Sequence, residues 1–274
     1  MDIDIIELLP NSVKFILEDT SIAFANAIRR IAIAEVPTLV IEDVYVLKNT
    51  SPLFDEFIAQ RLGLIPLKYD ADTLELNFRD ECDCNGIGCN LCTVTLTISK
   101  ETSQEPAIVY SGDLISSQEG VEPINSKIPI VKLGPNQALE LECMAQLGIG
   151  KEHAKWQPVS AMGYQFYPVI EIDHEKIKDP KKVADACYRN VFSVKNGKLA
   201  VENLLNCNLC GYCTDFAEPG GVQIKYDSSK IIFSFEINNG MPPSKLMEKA
   251  GEILLSRIDE LKNKLEVITT SEEE

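Results

Sequence analysis

Residues 22–36 read IAFANAIRRIAIAEV and are followed by Pro37 and the apolar run TLVIEDVYVL (38–47). Polar residues that cap helix N-termini, Asp-Thr-Ser, stand at 19–21, and proline closes the segment. The apolar residues at helical spacing are Phe24, Ile28 and Ile31. This stretch therefore predicts an amphipathic helix that changes into a strand after residue 37.

Strand patterns surround this helix on both sides. Two short apolar runs before it are separated by Pro10-Asn11-Ser12, which predicts a hairpin. After it, TVTLTIS (93–99) and ALELECMAQL (138–147) predict strands, and DEFIAQRLGL (55–64) predicts a helix. Another strand pair is predicted in VQIKYDSSKIIFSFEIN (222–238), with a turn at Asp227-Ser228-Ser229. The pattern as a whole predicts an α+β fold.

The chain ends in a second long amphipathic helix. Its apolar stripe runs at three- and four-residue steps through Leu246, Ala250, Ile253, Leu254, Ile258, Leu261 and Leu265. Such a stripe covers a sheet of its own domain or packs on a partner helix. Periodicity alone does not separate these two interpretations.

Composition excludes several classes of protein. The 274 residues are 45% hydrophobic, which is enough for about two packed domains. Forty-two acidic against 26 basic residues give a net charge of −16, so we expect contact with DNA to be indirect. No apolar run has the length of a membrane span, and MDIDIIELLP lacks the features of a secretion signal. We therefore predict a cytoplasmic protein without membrane association, whose nine cysteines serve as ligands or buried thiols.

Three cysteines lie in CNLCGYC (207–213), the spacing by which ferredoxins hold an iron-sulfur cluster. The usual fourth cysteine is replaced by Ala217, and the residues leading up to Cys187 contain no cysteine triplet that would build a second cluster. The remote ligand is then Cys187, in a segment that resembles the end of a ferredoxin half-motif. The predicted cluster, [4Fe-4S] or [3Fe-4S], is held by Cys187, Cys207, Cys210 and Cys213. A zinc ion bound by the same four sulfurs is the alternative.

A second constellation, CDCNGIGCNLC, contains two close cysteine pairs joined by Asn-Gly-Ile-Gly. The four cysteines are Cys82, Cys84, Cys89 and Cys92. Four thiolates that leave no open position predict a structural Zn²⁺ site; the alternative is an unmetallated or redox-active loop. Cys143, in a strand pattern, is predicted to be a buried core thiol. No catalytic motif is found, and we predict no catalytic residues.

Several segments together resemble one family over nearly the whole chain. FANAIRRIAIAEVPTLVIEDV, DEFIAQRLGLIPL, HAKWQPV and PVIEIDHEKIKDPKKVADACYRN…CNLCGYC resemble the D subunit of archaeal DNA-directed RNA polymerase, in its iron-sulfur-containing type. The D subunit is the counterpart of the third-largest subunit of eukaryotic RNA polymerase II and of the bacterial α subunit. Gln60 and Gln157 depart from residues that are common in the family.

The resemblance implies an α-subunit-like dimerisation domain split into residues 1–42, 153–168 and 222–274. A mostly-β domain with the zinc loop (43–152) and a ferredoxin-like domain with the cluster (169–221) would be inserted. The implied partners are subunit L, which forms the heterodimer, subunits N and P, and the large subunits in which nucleotidyl transfer occurs. The implied function is a non-catalytic platform for assembly. A ferredoxin-like electron carrier or an iron-sulfur redox subunit is the alternative, but it would explain only residues 169–221.

Overall fold

A computed structural model describes residues 1–70 and 74–271, with side chains up to residue 266. The helices are α1 (Ile22–Ala34), α2 (Asp55–Gly63), α3 (Pro180–Ala186) and α4 (Pro243–Ser271). The strands are β1 (Asp2–Leu8), β2 (Ser12–Glu18), β3 (Thr38–Asn49), β4 (Leu67–Lys68), β5 (Thr93–Glu101), β6 (Ala107–Tyr110), β7 (Ile115–Ser116), β8 (Glu122–Pro123), β9 (Pro129–Leu133), β10 (Ala138–Gly148), β11 (Val159–Ile172), β12 (Phe192–Lys195), β13 (Lys198–Val201) and β14 (Val222–Ile237). This mixture of helices and sheets confirms the predicted α+β class.

The residues group into two compact units, each built from separate stretches of chain. The first comprises Met1–Leu8, Val13–Asn26 and Gly163–Ser234. The second comprises Leu9–Ser12, Ala27–Met162 and Phe235–Glu274. Each unit is described by itself below.

One four-stranded sheet has the order β1-β2-β14-β11. The predicted hairpin is present, because β1 and β2 pair antiparallel from Asp2 opposite Glu18 onward. Predicted helix α1 is also present, and the Ser21 hydroxyl accepts the backbone N–H of Phe24 at 3.2 Å, as an N-cap does. On the sheet, the rings of Phe15 and Phe233 stack with centroids 5.6 Å apart.

The predicted turn at Asp227-Ser228-Ser229 is wrong, because these residues lie within β14, a continuous strand of 16 residues. The Asp227 carboxylate accepts hydrogen bonds from the Ser229 N–H at 2.9 Å and its hydroxyl at 2.6 Å. These bonds satisfy locally the polar groups that suggested a turn. In addition, the Ser229 carbonyl accepts from the Thr20 N–H at 3.4 Å.

The second unit contains a four-stranded sheet, β3-β10-β5-β7, and a large apolar cluster. Strand β10 pairs antiparallel with β3 on one side and with β5 on the other. Helix α2 supplies Ile58 and Leu62, both fully buried, to the cluster formed with residues of β3, β5 and β10. Cys143 on β10 is 0% exposed within it, which confirms its prediction as a core thiol.

A smaller apolar cluster forms in the first unit, around α3 and the β12–β13 hairpin. Its buried members are Ile177, Val183, Val191, Phe192, Leu199, Cys207, Cys213 and Val222. Helix α3 begins with Asp179 as N-cap, whose carboxylate accepts the Lys182 N–H at 3.1 Å, and Pro180 stands in the first turn. This small core surrounds two of the cysteines predicted to be ligands.

Helix α4 changes character along its length. Leu246 and Ala250 in its first turns are fully buried, whereas Ile258, Leu261 and Leu265 are 53–59% exposed. Arg257 forms an ion pair of 2.6 Å with Glu35, just after α1. The first part of the stripe is therefore buried within the chain and the later part is exposed, and packing on a partner helix stays a prediction.

Candidate metal centres

Cys82, Cys84, Cys89 and Cys92 come together with their sulfurs all within 4.8 Å of one another. The Sγ–Sγ distances are 3.6 Å for Cys82–Cys89, 3.6 Å for Cys84–Cys92 and 3.8 Å for Cys89–Cys92. A tetrahedron of sulfurs at the usual Zn–S distance of about 2.3 Å has an edge of about 3.8 Å. The four thiols therefore have the spacing of a mononuclear tetrathiolate site, and the donor set fits Zn²⁺.

Backbone geometry explains how the loop closes. Asn85, Gly86 and Gly88 adopt φ values of +54°, +77° and +100°, which the Asn-Gly-Ile-Gly linker permits at little cost. The Cys89 carbonyl then accepts the N–H of Cys92 at 2.9 Å and of Thr93 at 2.8 Å. This turn leads directly into β5, so the second cysteine pair is fixed to the sheet.

The pKa values of two of the four thiols are shifted in opposite directions. The Gly88 N–H hydrogen bond is the main factor that lowers the pKa of the Cys84 thiol to about 7, whereas burial raises the pKa of Cys92 to about 12. The Cys89 N–H also donates to the Cys92 sulfur at 3.3 Å. A metal that binds here must therefore displace protons from thiols, which couples its affinity to pH.

Cys187, Cys207, Cys210 and Cys213 all line one small cavity in the first unit. Cys207 and Cys213 are buried, Cys187 is half-buried and Cys210 is exposed. Among the described residues, only the Cys82–Cys92 group brings three or more ligand atoms within 4.8 Å of one another. The four thiols around this cavity therefore lack the close spacing of the first group, while they line one cavity together.

The CxxCxxC segment is held by left-handed residues and by side chains outside the motif. Leu209 and Gly211 have φ values of +60° and +74°. Burial, followed by the nearby thiols Cys187 and Cys207, raises the pKa of Cys213 to about 11. Ala217, which replaces the usual fourth cysteine, packs against the small apolar cluster.

Three side chains fix the carbonyls that lead into this motif. Arg189 donates to the Asn206 carbonyl at 3.1 Å. Lys14 on β2 donates to Leu205 at 3.4 Å, and Gln165 on β11 donates to the Cys207 carbonyl at 3.4 Å. The sequence motif did not indicate these contacts, because Lys14 is 191 residues from its partner along the chain.

Comparison with known proteins identifies the class of molecule. Residues 44–173 match the family described as RNA polymerase Rpb3/RpoA insert domain. The fold and this match define an α-like subunit of DNA-directed RNA polymerase. No helix among the described residues has the length and apolar character of a membrane span.

The most similar relatives include the Rpo3 subunits of DNA-directed RNA polymerase from Methanosphaera stadtmanae, Methanothermobacter thermautotrophicus and Archaeoglobus fulgidus. The first two are each 39% identical to this chain and the third is 36% identical. The alignments cover 95–97% of this chain and 97–98% of the relatives. The chain therefore belongs to the Rpo3 family of archaeal DNA-directed RNA polymerase subunits.

Two predictions are settled by this membership. The resemblance to the D subunit is corrected to Rpo3, because the relatives carry that designation and the matching family is described as Rpb3/RpoA. The prediction that the chain is a non-catalytic subunit of the polymerase complex is confirmed.

Proposed function

We propose that this chain is the platform on which the archaeal polymerase assembles, and that it forms a heterodimer with the small subunit L. Subunits N and P and the large catalytic subunits would then join the pair. The large subunits carry out nucleotidyl transfer, and this chain meets DNA only through the complex. The cytoplasmic location stays a prediction.

The exposed part of α4 is the observation that carries this proposal. Ile258, Leu261 and Leu265 are 53%, 59% and 54% exposed, although they continue a stripe that includes the fully buried Leu246 and Ala250. Apolar side chains grouped on one exposed helix face mark an interaction site. A partner with an amphipathic helix would cover them, and we propose that α1 contributes the neighbouring part of the contact.

The domain organisation proposed for this platform follows the two apolar clusters. The larger cluster supports an inserted domain at 43–152, and the smaller one supports a second insertion at 169–221 that is ferredoxin-like. Residues 1–42, 153–168 and 222–274 would form the split dimerisation domain. Each insertion has its own apolar core, as an independently folding insertion needs.

We propose Zn²⁺ at Cys82, Cys84, Cys89 and Cys92, and one [4Fe-4S] or [3Fe-4S] cluster at Cys187, Cys207, Cys210 and Cys213. The sulfur–sulfur distances of 3.6–3.8 Å support zinc at the first site. The CxxCxxC spacing and the cavity that all four cysteines line support the cluster at the second. When bound, both groups supply folding free energy through metal–thiolate bonds. The substitution Cys207→Ser removes one ligand of the proposed cluster. If the polymerase that contains this variant assembles fully and is insensitive to oxygen, assembly does not depend on the cluster.

The test is an anaerobic affinity purification of the tagged full chain from its native host, with mass spectrometry of stoichiometric partners and analysis of iron and zinc. We expect a small dimerisation partner and the large polymerase subunits. An untagged strain controls for adventitious binding. Recovery of the chain alone, or with oxidoreductases, would contradict the platform proposal and favour the electron carrier.

A further inference from the structure

Arg79 lies three residues before Cys82, and its side chain turns back onto the cysteine loop. Its Nε–H donates to the carbonyl of Gly86 at 2.8 Å, and its Nη2 donates to the carbonyl of Ile87 at 3.3 Å. These two carbonyls belong to the linker that joins the two cysteine pairs. The guanidinium therefore holds the part of the loop that decides how closely the pairs approach.

The same guanidinium is bound to two strands of the sheet. Its Nη1 donates to the Asp43 carboxylate on β3 at 2.6 Å and to the Gln146 side-chain oxygen on β10 at 3.0 Å. The Arg79 side chain is only 20% exposed, so this ion pair is partly shielded from water. One side chain thus joins the loop to two neighbouring strands through four hydrogen bonds.

Charge makes a cation useful at this position. Four thiolates around Zn²⁺ carry a net charge of −2, and the adjacent sequence adds Asp80, Glu81 and Asp83. A guanidinium stays charged and offers its donors in a rigid planar fork. A lysine could supply the charge but could not bind two carbonyls and two strand side chains in this geometry.

We propose that Arg79 is a positioning residue of the tetrathiolate site, one that holds the loop on β3 and β10 in the conformation that binds metal. This inference rests on the proposed zinc site. Residues that orient the ligands of a metal typically change metal affinity by about 10–100-fold when they are replaced. Arg79 binds no metal itself, so its effect must come through the loop.

The experiment measures zinc in the full chain, purified anaerobically so that the Cys187–Cys213 centre keeps its own metal. Zinc affinity and release rate are measured by competition with a chromogenic chelator, and iron content is measured alongside. Cys84→Ser identifies the fraction of zinc that belongs to this loop. Hydrogen exchange of residues 79–92 reports whether the loop stays docked.

Arg79→Met is the main variant and Arg61→Met is its matched control. Arg61 is also in the second unit and donates to a backbone carbonyl, that of Pro129 at 2.7 Å. We expect Arg79→Met to weaken zinc binding about 10–100-fold and to speed exchange in the loop, with Arg61→Met close to wild type. Arg79→Lys should be intermediate, because it keeps the charge and loses the fork.

Wild-type zinc affinity together with unchanged loop exchange in Arg79→Met would overturn the positioning role. If that variant does not fold, Arg79→Lys and Asp43→Asn give the same test, and wild-type affinity in both would overturn it. Failure of the zinc site itself has another signature. In that case wild type and Cys84→Ser would contain the same amount of zinc.

Discussion

Replacing Ile258 and Leu261 together by glutamate should separate this chain from subunit L, the partner that we propose, while leaving its own fold intact. The two side chains are 53% and 59% exposed, so a partner helix would bury about half of each. Full burial of such a side chain contributes about 1.5–3 kcal/mol, which leaves about 1 kcal/mol for each half-buried one. Loss of about 2 kcal/mol alone weakens binding about 30-fold. Burying two carboxylates in an apolar contact adds to this, so we expect at least about a 100-fold weakening.

The assay is titration calorimetry of the purified full chain with purified subunit L, supported by thermal unfolding of each variant alone. Ser256→Glu with Asn263→Glu is the matched control, because it adds the same charge to the opposite side of α4. We expect the control to bind nearly as wild type does. Both variants should unfold within a few degrees of wild type, because exposed substitutions change stability by only about 0.5 kcal/mol.

An unchanged Kd for the Ile258→Glu, Leu261→Glu variant would refute the reasoning, because it would place the exposed part of α4 outside the interface. Equal weakening in the control would also contradict it. That result would indicate general charge repulsion rather than loss of an apolar contact.

Three further substitutions test single features of the fold. Gly88→Ala should lower the free energy of unfolding by about 1–3 kcal/mol and speed zinc release, because Gly88 has φ +100° and an added Cβ would lie 2.8 Å from the Met144 side chain. An unchanged unfolding temperature and release rate would contradict this. Cys143→Ser should cost about 1–3 kcal/mol in chemical denaturation, because it places a hydroxyl in a fully buried apolar site, and wild-type stability would show that the hydroxyl finds a partner. The Asp113 pKa is lowered, since burial, which opposes the shift, is outweighed by hydrogen bonds that include one from Lys100 at 2.7 Å. Ionised Asp113 therefore stabilises the fold at neutral pH and ceases to do so as pH falls through its folded pKa. Asp113→Asn should lower the free energy of unfolding at pH 7 by less than about 1 kcal/mol, seen as a slightly lower unfolding temperature, and should have no effect in acid. A difference that persists in acid would contradict this sign.

The spacing of apolar residues predicted helices and strands well where one face of the element is buried. Helix α2 and strands β5 and β10 have their apolar residues at the spacing that one buried face requires, and each is found close to its predicted position. The error at 227–229 has a local cause. Asp227 and its two serines have the composition of a turn, but hydrogen bonds within the trio satisfy their polar groups while β14 continues.

The cysteines of the first site could be predicted, but the residue that we propose positions them could not. Metal ligands occur in short motifs, because a small loop must bring them together. Arg79 instead acts through Asp43 and Gln146, which lie 36 and 67 residues away in sequence. Only the pairing of β3 with β10 brings those two side chains to one place, and no local pattern records it.

One group of cysteines lies outside the large apolar cluster, and the other is part of the small one. Loss of metal should therefore have different effects at the two sites. Cys82, Cys84, Cys89 and Cys92 lie outside the large apolar cluster, which α2, β3, β5 and β10 build without them. Cys207 and Cys213, in contrast, are two of the eight buried residues of the small cluster, and Cys187 packs against it. Removing the proposed zinc should therefore release one loop from an intact domain. Removing the proposed iron-sulfur cluster would leave a gap within the small apolar cluster, so residues 169–221 are the part of the chain whose folding we expect to follow iron supply and oxidation most directly.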